Sequence, residues 1–358
     1  MAAASKQDDA FVFVKAYASR GSLLSRGFLE ELAHSRGVDE MAAKLKTTAY
    51  GDQLSGVSGA ISARKLESML RSSLSVFNYE LLRYYRKPGV LEGYFERNLS
   101  WNLKVAVKGK AAGLSYDDLS DMIVLKAEEL AGRRDLIVRM LSASNLDQVL
   151  ALLGDSDVRP YLVQALATYR QTREISTFDL YIDRYTLGML VGAFAPKKGR
   201  LRRFYSRPDK LVRSMVAADV DSFDILTILR CKWLDLPAAK IRELLITPAF
   251  NLDSDLLEDM LAATTVQAAA GVLSHSVYRK LIPSASSPEE LISGVEEAFF
   301  KKALATARHT FSASPMSEPI LLGALKVKEL EVRNLSSIAF GLEVGLLPSA
   351  IISKLISA

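Results

Sequence analysis

A single cysteine, Cys231, excludes an internal disulfide framework and any metal cluster built on several thiolates. One unpaired thiol fits a reducing compartment. Histidine is nearly as scarce. His34, His275 and His309 are the only three, and no two stand at metal-ligand spacing. The chain lacks a G-x-x-x-x-G-K-[ST] phosphate loop, a G-x-G-x-x-G dinucleotide turn and a G-x-S-x-G nucleophile elbow. The acidic neighbours Asp117-Asp118, Glu289-Glu290 and Glu296-Glu297 point to different faces of a helix, so they do not form paired carboxylates. The first two pairs fall at expected helix starts, where negative charge is favourable. The expectation is a protein with no catalytic residues, no cofactor and no metal.

Long apolar runs are missing as well. Met189 to Ala195 is far shorter than the ~18–20 residues a spanning helix needs. The opening residues show no basic stretch followed by an apolar one, so no leader is expected. Such a chain should not cross a membrane, though it could sit against a membrane complex. No convincing alternation of apolar and polar residues marks a strand.

Most of the 358 residues instead fall in runs of Ala, Leu, Glu, Lys and Arg with apolar positions three and four apart, the pattern of packed helices. Apolar residues make up 49% and charged residues 24%, enough for more than one hydrophobic core. The net charge is +5. Its densest part is Lys197, Lys198, Arg200, Arg202 and Arg203, continuing to Arg207, Lys210 and Arg213. This cluster surrounds a Pro-Lys-Lys-Gly turn signal. It reads first as a solvated loop and helix start. A docking patch for an acidic partner or lipid headgroups, or a nucleic-acid surface, are the alternatives. No aromatic residues interleave it in the manner of a nucleic-acid motif, so nucleic acid is not expected.

Self-similarity is the strongest signal. Leu99 to Leu114, Asp221 to Leu236 and Glu331 to Leu346 align without gaps. Asn102, Asp224 and Asn334 coincide, each followed by an apolar residue. Ala106, Ile228 and Ile338 follow on the same face. Gly109, Gly113, Gly341 and Gly345 lie near the helix end, where positive φ is useful. A short second helix is expected near Leu119, Ile241 and Ile351. The polar residue at 102, 224 and 334 reads as a side chain bonding a neighbouring helix end or loop, with direct partner contact as the alternative. A second set also aligns: Val38–Leu54, Leu146–Leu162 and Val266–Ile282, with Tyr50, Val158 and Tyr278 at one position. The order of the two elements is the same each time. Three helical domains are therefore expected, 1–128, 129–248 and 249–358. Three such copies could close into a ring or run on as a short solenoid.

The stretch Lys326 to Pro348 resembles the closing signature of the C subunit of archaeal-type and vacuolar-type rotary ATPases, called d in the eukaryotic vacuolar enzyme. The pattern is roughly E-x-R-N-L-x-x-I-x-x-G-x-x-x-G-L. Glu331, Arg333, Asn334, Leu335, Ile338, Gly341, Gly345 and Leu346 occupy it. Tyr17 to Arg26 and Thr48-Ala-Tyr-Gly51 resemble the family's opening. The resemblance covers roughly residues 10–356. It implies an all-α fold of three pseudo-repeated domains forming a funnel. It implies a non-catalytic central-stalk subunit, one per complex, on the cytoplasmic face of the membrane. Its partners would be the D and F shaft subunits and the proteolipid ring, and its role to couple ion flow to ATP synthesis or hydrolysis. Glu331 and Arg333 have no charged counterpart in the first copy, where Leu99 and Trp101 stand. Any partner contact they make would come from one domain. A helical-repeat scaffold and a nucleic-acid binder using residues 197–213 are the rival readings.

Overall fold

The computed structural model describes residues 6–57, 59–87, 89–193, 207–247 and 249–357. Among them the protein is all-α, with no strand. The helices are α1 (Lys6–Gly21), α2 (Arg26–Ala33), α3 (Val38–Leu45), α4 (Gly51–Leu54), α5 (Ala63–Tyr84), α6 (Gly89–Ala111), α7 (Tyr116–Ser120), α8 (Leu125–Ala131), α9 (Arg134–Ser142) and α10 (Leu146–Leu152). Then come α11 (Arg159–Thr172), α12 (Ser176–Gly192), α13 (Arg207–Trp233), α14 (Ala238–Leu244), α15 (Ser254–Ala262), α16 (Val266–Val272), α17 (Pro288–Ala313), α18 (Glu318–Glu343) and α19 (Pro348–Ser353).

The three aligned segments share one local structure. Asn102, Asp224 and Asn334 lie on the long helices α6, α13 and α18. Each helix ends on a left-handed residue eleven positions on: Gly113, Asp235 and Gly345, with φ of 71°, 55° and 72°. The next amide then reaches back to close the helix. Leu114 donates to the Gly109 carbonyl at 2.9 Å, Leu236 to Cys231 at 2.9 Å, and Leu346 to Gly341 at 2.8 Å. This turn satisfies carbonyls that a helix end leaves open. Asp235 tolerates the conformation because its side chain is short and polar.

Gly109 and Gly341 have a different use from the positive φ expected of them. Neither takes a positive φ. They let the returning short helices α7 and α19 touch the long ones. A Cβ on Gly109 would fall 2.1 Å from Leu119 Cδ2, and one on Gly341 2.7 Å from Ile351 Cγ1. In the middle copy Cys231 and Ile241 hold the same two positions, both buried.

The polar position then fastens the returning chain. Asn102 accepts from the Val124 amide at 2.7 Å and donates to the Val124 carbonyl at 3.0 Å. Asn334 does the same to Ile356, at 2.8 and 3.0 Å. Asp224 accepts from the Ile246 amide at 2.8 Å. In all three the partner is 22 residues downstream. These side chains are 0–5% exposed, so each fills a backbone polar group that water cannot reach.

The second aligned element packs on the long helix of the copy before it. Residues of α9 and α10 lie on α6, and α16 lies on α13. The first copy's α3 lies on α18, the last long helix. The same register decides the chemistry between them. Tyr278 donates to Asp221, and Tyr50 donates to Glu331 at 2.7 Å. Where the first copy has Leu99 in place of the acid, Val158 replaces the tyrosine, and the two line one cavity. α18 is enclosed by α1, α2, α3, α5, α13, α17 and α19. It is accordingly buried on nearly every side, its charged residues included.

Replacing Asn102 or Asn334 by Leu strands one buried amide and one carbonyl. Each variant should lose about 2–4 kcal/mol of stability, read from urea unfolding. Gly341→Ala should lose about 1–3 kcal/mol through overpacking. Adding Ile351→Val should recover part of that loss.

Candidate functional site where the long helices meet

Five residues before each polar clamp stands a charged residue: Arg97 on α6, Asp219 on α13 and Glu329 on α18. These equivalent positions converge. The Arg97 guanidinium lies 3.5 Å from Asp219 and 3.6 Å from Glu329. Lys326, one turn before Glu329, bridges the same two acids at 2.7 and 3.0 Å. The Tyr94 hydroxyl donates to Asp219, and the Lys326 ammonium sits 4.6 Å from the Tyr94 ring centroid.

Two cations and two carboxylates balance in this junction. Lys326 is 6% exposed at its side chain, Asp219 16% and Arg97 29%. Charges so far from water persist only when paired. Burial works to raise the Glu329 pKa, but Lys326 and Arg97 outweigh it and hold it well below the usual carboxylate range. Burial first, and the Asp219 charge second, push the Tyr94 hydroxyl well above its ordinary value. Tyr94 therefore remains a donor.

A basic and aromatic surface continues from the junction. The Arg71 guanidinium on α5 stacks 3.5 Å from the Trp101 ring centroid and pairs with Glu67 at 2.8 Å. Arg333 on α18 stacks 3.9 Å from the Phe300 centroid. Arg230 on α13 and Arg333 share Glu296, at 3.0 and 3.9 Å. Arg333 feels the charges of Glu329, Arg71 and Arg230 together, which places all of these in one neighbourhood. Arg71, Arg230 and Arg333 are 29%, 46% and 50% exposed at the side chain. Planar cations partly open to solvent, two of them stacked on rings, suit contact with another protein chain. They offer no nucleophile. The buried Cys231 thiol is pushed up to about 11 by burial, so it is inert as well.

Of the residues singled out from sequence, Asn102, Asp224 and Asn334 are buried in their clamps. Glu331 is 6% exposed, and its carboxylate takes hydrogen bonds from Tyr50 and from the Leu24 amide at 2.6 Å. Arg333 alone reaches the surface just described. Lys197, Lys198, Arg200, Arg202 and Arg203 lie outside the described residues. Farther along the same basic run, Arg213 sits on α13 over the Phe250 ring at 4.5 Å. Arg71, Arg97, Asp219, Arg230, Lys326 and Glu329 were not foreseen. Extending the repeat alignment two residues upstream would have found three of them, since 97, 219 and 329 are all charged.

Asp219→Ala should be severe, because it leaves Lys326 buried beside Glu329 alone and Tyr94 without an acceptor. A loss of about 3 kcal/mol is expected in chemical unfolding. Asp219→Asn should lose less than the alanine variant.

Residues 13–354 match the family model described as ATP synthase (C/AC39) subunit. The C subunit of the A-type ATP synthase of Methanocaldococcus jannaschii is 23% identical over 362 residues, 97% of this chain and 86% of that protein. Its counterpart from Pyrococcus abyssi is 26% identical over 339 residues, 93% of this chain and 86% of the relative. The Thermococcus kodakarensis protein is 26% identical, with 93% and 86% covered. With the match running almost from end to end, the chain belongs to the ATP synthase (C/AC39) subunit family.

Proposed function

We propose that the protein is a non-catalytic coupling subunit of a rotary A-type ATP synthase, seated between the D and F shaft subunits and the proteolipid ring. One copy per complex would sit on the cytoplasmic face of the membrane. Among the described residues no helix is long and apolar enough to cross a membrane. In this reading the sequence copies 1–128, 129–248 and 249–358 form three units about one axis. The axis runs through the meeting point of Arg97, Asp219 and Glu329. The order of packing supports a ring over a solenoid, because α3 of the first copy lies on α18 of the last. Such a ring leaves a mouth on one side, the funnel that the family resemblance implies, and the shaft foot would enter it.

The observation that carries this reading is the convergence of three equivalent helix positions on a single charged junction. A torque-bearing socket needs its walls tied to one another, and this junction ties α6, α13 and α18. The half-exposed arginines beside it supply a surface for the shaft. Arg97, Arg71, Arg230 and Arg333 come from four different helices, so load on that surface spreads through the whole body.

The test is co-purification from mildly solubilised membranes with the tagged full chain as bait. Wild type should bring down the D and F subunits together with the proteolipid. The double variant Arg71→Glu, Arg333→Glu should keep its helical content but retain D and F about tenfold less, equivalent to about 1.4 kcal/mol. A folded wild-type bait that recovers neither shaft subunits nor proteolipid would overturn the reading.

A further inference from the structure

The three clamps are equivalent in place but not in chemistry. Asn102 and Asn334 each use both ends of an amide, the oxygen accepting an N–H and the Nδ2 donating to the carbonyl of the same residue. Asp224 accepts the Ile246 amide through Oδ1 at 2.8 Å. Its Oδ2, where an asparagine carries its donor, is buried and receives no hydrogen bond. The residue is 0% exposed. A carboxylate there would hold a desolvated negative oxygen at a place built for a donor.

The charged surroundings point the same way. One turn earlier, Asp221 accepts from the Phe250 and Asn251 amides, from Asn251 Nδ2 and from the Tyr278 hydroxyl. Four donors converge on that acid and one on Asp224. The side-chain charges that reach Asp224 are Asp221 on its own helix, which disfavours a second negative charge, and Arg184 on α12, which opposes it more weakly.

We propose that Asp224 is a neutral carboxylic acid in the folded protein, its Oδ2–H donating to the Ile246 carbonyl, so that the middle clamp, the one whose own side chain can ionise, is a pH-sensitive latch. Burial first, and Asp221 in addition, raise its pKa to about 8 from the ordinary 3.8. A raised pKa gives a definite sign. The latch's contribution is complete below pH 3.8, declines as pH rises, and is gone once pH passes about 8. Deprotonation removes the bond to the Ile246 carbonyl and loosens the chain where it leaves α14, while the Phe250 and Asn251 amides stay on Asp221. The side chains of Asn102 and Asn334 do not titrate, although Asn102 Nδ2 also donates to the Glu128 carboxylate at 2.9 Å, and burial raises the pKa of that acid.

The experiment uses the full chain and compares wild type with Asp224→Asn, which installs the amide found in the other two clamps. The melting temperature of the variant should match wild type at pH 3.5 and exceed it increasingly towards pH 8, with the gap level above pH 9. Hydrogen exchange of the Ile246 amide, measured at pH 9, should be slower in the variant. Difference infrared spectra at pH 6 should show a protonated-carboxyl C=O band that the variant lacks. A gap that does not change with pH would overturn the proposal. So would a variant less stable than wild type at every pH, or the absence of that band.

Discussion

A backbone amide and carbonyl carried into the interior of a helical protein have no neighbouring strand to satisfy them. In this chain the problem arises each time a long helix turns back on itself and its return segment dives against it. The answer is one side chain with an acceptor and a donor, placed to meet residue i+22. The left-handed turn eleven residues on and the glycine seven residues on both serve that geometry. The turn sets the direction of return, and the missing Cβ sets how close the short helix comes. Without the clamp the return segment would have to leave the interior to be solvated. The apolar residues it covers would follow it.

Once the returns are fixed, the long helices become comparable struts, joined by a shared apolar core and, where equivalent positions meet, by charge. Arg97, Asp219 and Glu329 occupy one register on three helices, yet they do not share one charge: one is a cation and two are acids. Three equal charges at one point would repel. A mixed set closes on itself, with Lys326 completing the balance. Divergence among copies is what permits an internal repeat to have a stable centre. The tyrosine–acid pairs show the same rule at the periphery. Tyr50 with Glu331 and Tyr278 with Asp221 form polar contacts, while Val158 with Leu99 makes an apolar one, and in no copy does a buried tyrosine face leucine.

These facts explain what the sequence could show. The all-α character, the clamp residue and the helix-ending glycines Gly113 and Gly345 are legible, because a backbone requirement admits few residue types and each copy meets it alike. The close-approach role of Gly109 and Gly341 is hidden, since a glycine at a helix end satisfies either use. The junction is hidden for a deeper reason. Its members are complementary, so a search for identical residues passes over them. Glu331 looked like a partner contact because it is charged and belongs to the family signature, whereas Tyr50 and the Leu24 amide, far away in sequence, claim its carboxylate. The basic run at 197–203 drew attention by density alone, and density carries no information about position.

The packing of α1 to α3 on α18 has a consequence for biosynthesis. The Tyr17 hydroxyl bonds the Phe311 carbonyl, 294 residues away, and the Leu24 amide meets Glu331 across 307 residues. A ribosome releases the N-terminal helices long before their partner exists. α1 and α3 meet α5 early, but the apolar faces that α18 covers must wait while the middle copies are made. The middle long helices α6 and α13 meet α9, α10, α12, α16 and α17 far sooner and can settle during translation. The faces of the first helices that await α18 cannot. The nascent protein is thus an open chain with a sticky leading end until its last long helix emerges. A premature stop before α18 would strand that end for good, and should mark the product for chaperone capture or proteolysis rather than leave a smaller working domain.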